Sequence, residues 1–205
     1  ALSGTGYLDN KYALGLKVHS VLTVSTQGIP LGIIEQQVWS RKEEELGKAE
    51  QRKQKVTAQK ESQKWLDGLK KTDSIIPSSV QVVTIADREA DFYDLFAYPR
   101  RQSSDYVIRA TQNRCLVDGE KHLWATLESM ESQGTMTVEV KRNPTRPSRI
   151  ATLEIRYQTV TIQPPQNRAK KEQLTPITLQ AILVAEVDPP TEVEPISWLL
   201  LTTLE

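Results

Sequence analysis

Downstream of residue 134 the chain alternates strand-like runs with proline, and that pattern restricts its fold more than any other feature. Residues 135–141 alternate strictly, with Met136, Val138 and Val140 on one face. Residues 151–162, 177–187 and 196–203 form three further runs rich in Val, Ile, Leu and Thr. The links between them carry Pro144 and Pro147, then Pro164-Pro165, then Pro189-Pro190. Strands that follow one another through turn clusters, with no helix between, pair antiparallel. This half of the chain therefore reads as a mostly β subdomain.

The first half has a different rhythm. Residues 14–24 alternate, with Leu16, Val18, Ser20, Leu22 and Val24 on one face, and Thr26-Gln27-Gly28 supplies a turn into a second strand over 30–39. The two form a hairpin. Residues 41–64 are dense in Lys, Glu and Gln, so they read either as an exposed helix or as a partly disordered loop. Trp65, Leu66 and Leu69 then mark a short amphipathic helix ending near Thr72. A strand over 82–86, a helix to about Tyr98 and a strand over 105–110 complete an α/β half, and 123–130 reads as one more short helix.

The run Val82-Val83-Thr84-Ile85-Ala86 enters Asp87 directly, followed by Arg88-Glu89-Ala90-Asp91. A continuous apolar run of this length is expected in a covered, largely parallel sheet. In such sheets ligands gather beyond the carboxyl ends of the strands, where Asp87 stands. Two readings of Asp87 follow. It is a helix N-cap, with Glu89 and Asp91 as first-turn acids, or it is a metal-binding carboxylate. Arg88 stands beside it and has Asp91 within reach as a partner.

Composition limits the remaining function classes. At 205 residues the chain can hold one large domain or two small ones. No apolar stretch approaches the roughly 20 residues that cross a bilayer, so no membrane partner is expected. The single Cys115 excludes an internal disulfide and fits a reducing, cytoplasmic setting. No activating partner for it is evident in its sequence neighbourhood, so it reads as a small buried hydrophobe. His19 and His122 have no metal-ligand spacing and read as structural. The formal net charge is zero, yet residues 141–171 hold Lys141, Arg142, Arg146, Arg149, Arg156, Arg168, Lys170 and Lys171 against the single acid Glu154, a formal +7. That segment is either a phosphate-contacting surface or a pair of solvated loops. The chain has no initiator Met and stops at Leu204-Glu205 just after an apolar strand, which is expected of an excised fragment with a cloning scar.

Five ordered pieces carry a family resemblance: His19-Ser20-Val21-Leu22, Gln37-Val38-Trp39-Ser40-Arg41, Lys64-Trp65-Leu66, Asp87-Arg88-Glu89-Ala90-Asp91, and the segment from Pro195 to Thr202. Together they resemble the DDE transposases of the Tn-five (insertion-sequence-four) group over nearly the whole chain. The piece around Asp87 is the most specific. The resemblance implies an α/β fold: a partial ribonuclease-H-like core with an inserted antiparallel β subdomain. The core portion would be 1–110, the insert 111–195, and the return strand 196–205. It implies cut-and-paste DNA transposition through two Mg2+ or Mn2+ ions about 3.5–4 Å apart. Asp87 would be the middle of three metal-binding acids. The first would lie upstream of the matched region and the third, a glutamate, downstream of the Trp198 strand, so this piece alone is expected to be inactive. A nuclease of the same fold and a non-catalytic DNA-binding remnant are the alternatives. Trp198 aligns with a tryptophan that stacks on a flipped base, and Arg109 with an arginine that holds phosphates. Thr111 stands where the family has a further basic residue. Lys141, Arg142, Arg146 and Arg149 are expected to contact DNA backbone, and the family works as a dimer on paired DNA ends.

Overall fold

A computed structural model describes residues 4–8, 12–41, 61–117, 122–144, 147–166 and 174–205. The chain divides into two compact units, Ala1–Val80 with Asn167–Glu172 and Gln81–Gln166 with Gln173–Glu205. Most of the polar stretch 41–64 lies outside the described residues, as do Asp9, Arg146, Arg168, Lys170 and Lys171.

The first unit is built on a hairpin. Strands β1 (Gly6–Tyr7) and β2 (Leu14–Gly15) form a small antiparallel pair, and β3 (Lys17–Val24) pairs with β4 (Pro30–Trp39). The β3–β4 turn closes through Gly28, at φ 81°, whose N–H donates to the Ser25 carbonyl at 2.9 Å. A positive φ of that size suits glycine. Helix α1 (Gln63–Ile75) follows. Leu66, Leu69 and Thr72 recur at helical spacing and are buried. The helix stops because Ile76 precedes Pro77 and is extended, at ψ 129°. The apolar stripe Leu16, Val18, Leu22, Val24 is exposed. The opposite face holds the contacts to α1: His19 stacks edge-on to Trp65 at 4.6 Å, and a Cβ on Gly68 would come within 2.8 Å of Val21 Cγ2.

The second unit is one six-stranded mixed sheet with few helices. In chain order it holds β5 (Val82–Ala86), a 3-10 turn (Arg88–Ala90), α2 (Tyr93–Ala97), β6 (Ser104–Ala110), α3 (Leu123–Glu128), β7 (Gly134–Val140), β8 (Arg149–Ile162), β9 (Ile177–Val187) and β10 (Ser197–Thr202). The strand order is β5-β6-β10-β9-β8-β7. Only β5 and β6 run parallel; every other pairing is antiparallel. The last strand thus sits in the middle, between β6 and β9.

One face of this sheet is the core. Tyr106, Ile108 and Ala110 of β6 align with Leu199 and Leu201 of β10, which align with Leu183 and Ala181 of β9. Phe96 of α2 lies 5.4 Å from the Tyr106 ring, and α3 packs on β8 and β9 through Leu123 and Leu127, both fully buried. The second face has its own small cluster of Val140, Ala151 and Leu153, with Val138, Val184 and Ile196 against it.

The chain is mixed α/β, as its sequence suggests, but the covered, largely parallel sheet is corrected. Strand β5 lies at the edge, and Ile85 is 78% exposed, with Val83 exposed beside it. The run is apolar on both faces, yet only the Val82, Thr84 and Ala86 side is partly covered. The helix expected to begin after Asp87 is also divided, into the 3-10 turn and the five-residue α2.

Candidate functional site at the strand ends

Asp87 leaves β5 in extended conformation and caps the 3-10 turn, its Oδ1 accepting the Glu89 N–H at 3.0 Å. The N-cap reading therefore describes its geometry. It does not exhaust the side chain, which is exposed and has no protein partner at Oδ2 among the described residues. Glu89 lies in the first turn as expected, whereas Asp91 closes the turn and is buried.

The sheet register brings two more of the candidate residues to the same end. Ala86 is opposite Ile108 in the parallel β5–β6 pair, so Asp87 and Arg109 follow on neighbouring strands, which lie about 4.8 Å apart. Leu199 is opposite Ala110 in the antiparallel β10–β6 pair, so Trp198 also falls at this end. The Arg109 guanidinium lies over the Trp198 ring, 5.0 Å from its centroid. Trp198 is 48% exposed. Arg109 has no carboxylate within ion-pair reach among the described residues, so its charge faces the ring and solvent. A guanidinium over an indole is a cation–π pair that presents both a cation and an apolar plate.

Both residues line an open cavity of about 1290 Å3 on the sheet's second face, floored by Val138, Leu153 and Val184. Lys141 lines it too, while Glu139, Glu192 and Glu194 place acids on its wall. Lys141 and Arg142 are exposed just beyond β7. Arg149 is different. Its guanidinium is bidentate on Glu186, with Nη2 to Oε2 at 2.9 Å, and the side chains are 11% and 3% exposed. That ion pair takes up the charge expected above to meet a phosphate, whereas Lys141 and Arg142 remain exposed.

Several connections have no local sequence signal. Asp91 Oδ2 accepts from the Thr111 and Gln112 N–H groups at 2.6 and 2.7 Å and from the Thr111 hydroxyl at 3.2 Å. Its Oδ1 lies 2.5 Å from Arg114 Nη2, so Arg114, not Arg88, is its ion partner. Thr111 is thus part of an Asp91 clamp. Cys115 is exposed, not buried, and its Sγ lies 3.4 Å from His122 Nε2 across an isolated β-bridge. His19 packs on Trp65 as a structural residue.

Among the described residues no group of three or more His, Cys, Asp or Glu gathers as a metal cage. No helix among them is long and apolar enough to cross a membrane. No protein-family model matches the chain.

Proposed function

We propose that this chain is the central part of the catalytic domain of a cut-and-paste DNA transposase, on a ribonuclease-H-like core, with Asp87 as one of its metal-binding acids. The observation that carries the reading is the convergence of Asp87, Arg109 and Trp198 at one end of one sheet. A carboxylate, an uncompensated guanidinium and an exposed indole suit a metal-assisted attack on a phosphodiester next to an unpaired base. Mg2+ or Mn2+ at Asp87 would offset the charge of the transition state and lower the pKa of a bound water or 3′-hydroxyl. Two ions need further carboxylates, which the resemblance puts upstream and downstream of the matched residues, so no step is assigned to this chain alone. Its own residues bind and orient: Arg109 holds a phosphate near Asp87, and Trp198 offers a ring to a base. Exposed Lys141 and Arg142 extend the cationic surface just beyond β7, and Arg146, outside the described residues, is proposed with them. The partner is DNA at transposon ends, handled by a dimer.

Fluorescence anisotropy with DNA carrying an unpaired terminal base tests the reading. Trp198→Ala should weaken binding by about 1–3 kcal/mol, the usual worth of a base stacked on an aromatic ring. Arg109→Gln should weaken it too. Binding that neither substitution changes would overturn the proposed interface.

A further inference from the structure

We propose that Asp91 is a positioning residue for Asp87: its buried carboxylate locks the turn that carries Asp87 onto the end of β6. The inference deepens the reading of Asp87 as a metal ligand and rests on that reading for its chemical consequence, though not for its geometry.

Three residues separate the two carboxylates, and they form a single tight turn. The Ala90 N–H donates to the Asp87 carbonyl at 3.0 Å, the Asp91 N–H to the Arg88 carbonyl at 3.3 Å, and the Phe92 N–H to the Ala90 carbonyl at 2.9 Å. Ala90 is fully buried, so the turn has no room to roll about its axis. One end of the turn is fixed by β5. The other is fixed by Asp91, which is 6% exposed and gathers the Thr111 N–H, the Thr111 hydroxyl, the Gln112 N–H and Arg114. Arg114 also donates to the Asp91 main-chain carbonyl at 3.3 Å and lies 5.0 Å from the Phe96 ring centroid, so its own position is set from two sides.

Thr111 is two residues beyond Arg109. The clamp therefore joins the Asp87 turn to the residues immediately after Arg109, a second tie besides the β5–β6 ladder. A short edge strand alone would let its end fray. With the clamp, the Asp87 carboxylate and the Arg109 guanidinium are held at a fixed separation, as a metal ligand and a phosphate-holding group must be. A buried carboxylate with charge-assisted partners suits this task because any movement of the turn leaves it unpaired in a poorly solvated place.

Asp91→Asn tests the proposal. The amide keeps one acceptor but sets an NH2 group among the donors that now meet a carboxylate. Arg114→Lys is the second variant, and it decides the matter if Asp91→Asn does not fold. Solvent exchange of individual amides by NMR is the first readout, because the Glu89 N–H is bonded to Asp87 itself. Protection should fall at Thr111, Gln112 and also Glu89. Loss at Thr111 and Gln112 with Glu89 unchanged would show a role confined to the loop and overturn the proposal. Mn2+ titration is the second readout. Broadening of the Glu89 and Ala90 amides in the unmodified chain but not in Asp87→Asn supports the metal reading. The folded Asp91 or Arg114 variant should then bind Mn2+ about tenfold or more weaker, the usual effect of removing a partner that orients a ligand. An unchanged Mn2+ affinity overturns the positioning role. If the unmodified chain shows no broadening, the metal reading fails, and the Glu89 exchange alone decides the positioning claim.

Discussion

The Arg149–Glu186 pair offers the sharpest energetic test of the second unit. The Glu186 side chain is 3% exposed, and its carboxylate meets Arg149 and also accepts the Ile196 N–H at 2.9 Å. The Glu186 N–H in turn donates to the Ile196 carbonyl at 2.8 Å. Breaking a buried ion pair from one side costs about 3–5 kcal/mol, because the remaining charge loses its counter-charge. Glu186→Gln retains an acceptor for Ile196, so the low end, about 3 kcal/mol, is expected. At about 2–4 °C per kcal/mol for a chain of this size, that is a fall in Tm of roughly 6–12 °C. Arg149→Met should cost a similar amount. The double variant removes both charges and should be far closer to the unmodified chain than the sum of the two. Urea denaturation followed by circular dichroism gives the cycle. If the double variant equals the sum of the singles within about 0.5 kcal/mol, the pair is not coupled and the reasoning fails. Exchange of the Ile196 amide reports the same event locally, two residues from Trp198.

Three further outcomes are expected. Lys141→Gln with Arg142→Gln should flatten the dependence of log K for DNA on log salt by about 0.9 per lost phosphate contact, with sequence preference unchanged; an unaltered slope in a salt titration would leave both as solvated surface charges. Gly68→Ala should destabilise the first unit, since a Cβ 2.8 Å from Val21 Cγ2 forces a shift worth about 1–3 kcal/mol, more than the roughly 1 kcal/mol that alanine gains in a helix; a raised Tm would contradict the close α1–β3 approach. Glu61 is held below the usual carboxylate range first by its hydrogen bond to Arg41, against partial burial. A lowered folded pKa contributes stability above the unfolded value near 4.5, lost as pH falls through the folded pKa, so Glu61→Gln should flatten the acid limb of a Tm-against-pH curve there.

The strands of this protein are legible in its sequence because their signal is local. Alternation over 135–141 and β-branched runs over 151–162 and 177–187 lead to β7, β8 and β9 within a residue or two. Strand position within the sheet is not local information. Val82 to Ala86 is apolar throughout, and nothing within those residues distinguishes a strand covered on both sides from one at an edge. The candidate site divides in the same way. Asp87 is visible as the acid that ends an apolar run, but Asp91 reads as a first-turn acid and Arg149 as one cation of a phosphate-contacting segment until their partners, 23 and 37 residues away, are brought to them. Cys115 shows the reverse error: a lone thiol reads as buried, while its bridge to His122 holds it at the surface.

The central place of β10 has a consequence for how the second unit comes together. Strands β5 and β6 are made early in the chain, and β7, β8 and β9 form their own antiparallel meander. Neither group touches the other through the sheet until Ser197–Thr202 enters between Ala110 and Ala185. The closing event spans the whole stretch from β6 to β10, so its chain-entropy cost falls late and on a single strand. During synthesis the facing edges of β6 and β9 wait open, and the Leu199 and Leu201 side chains that fill the core between them arrive after the other five strands of this sheet.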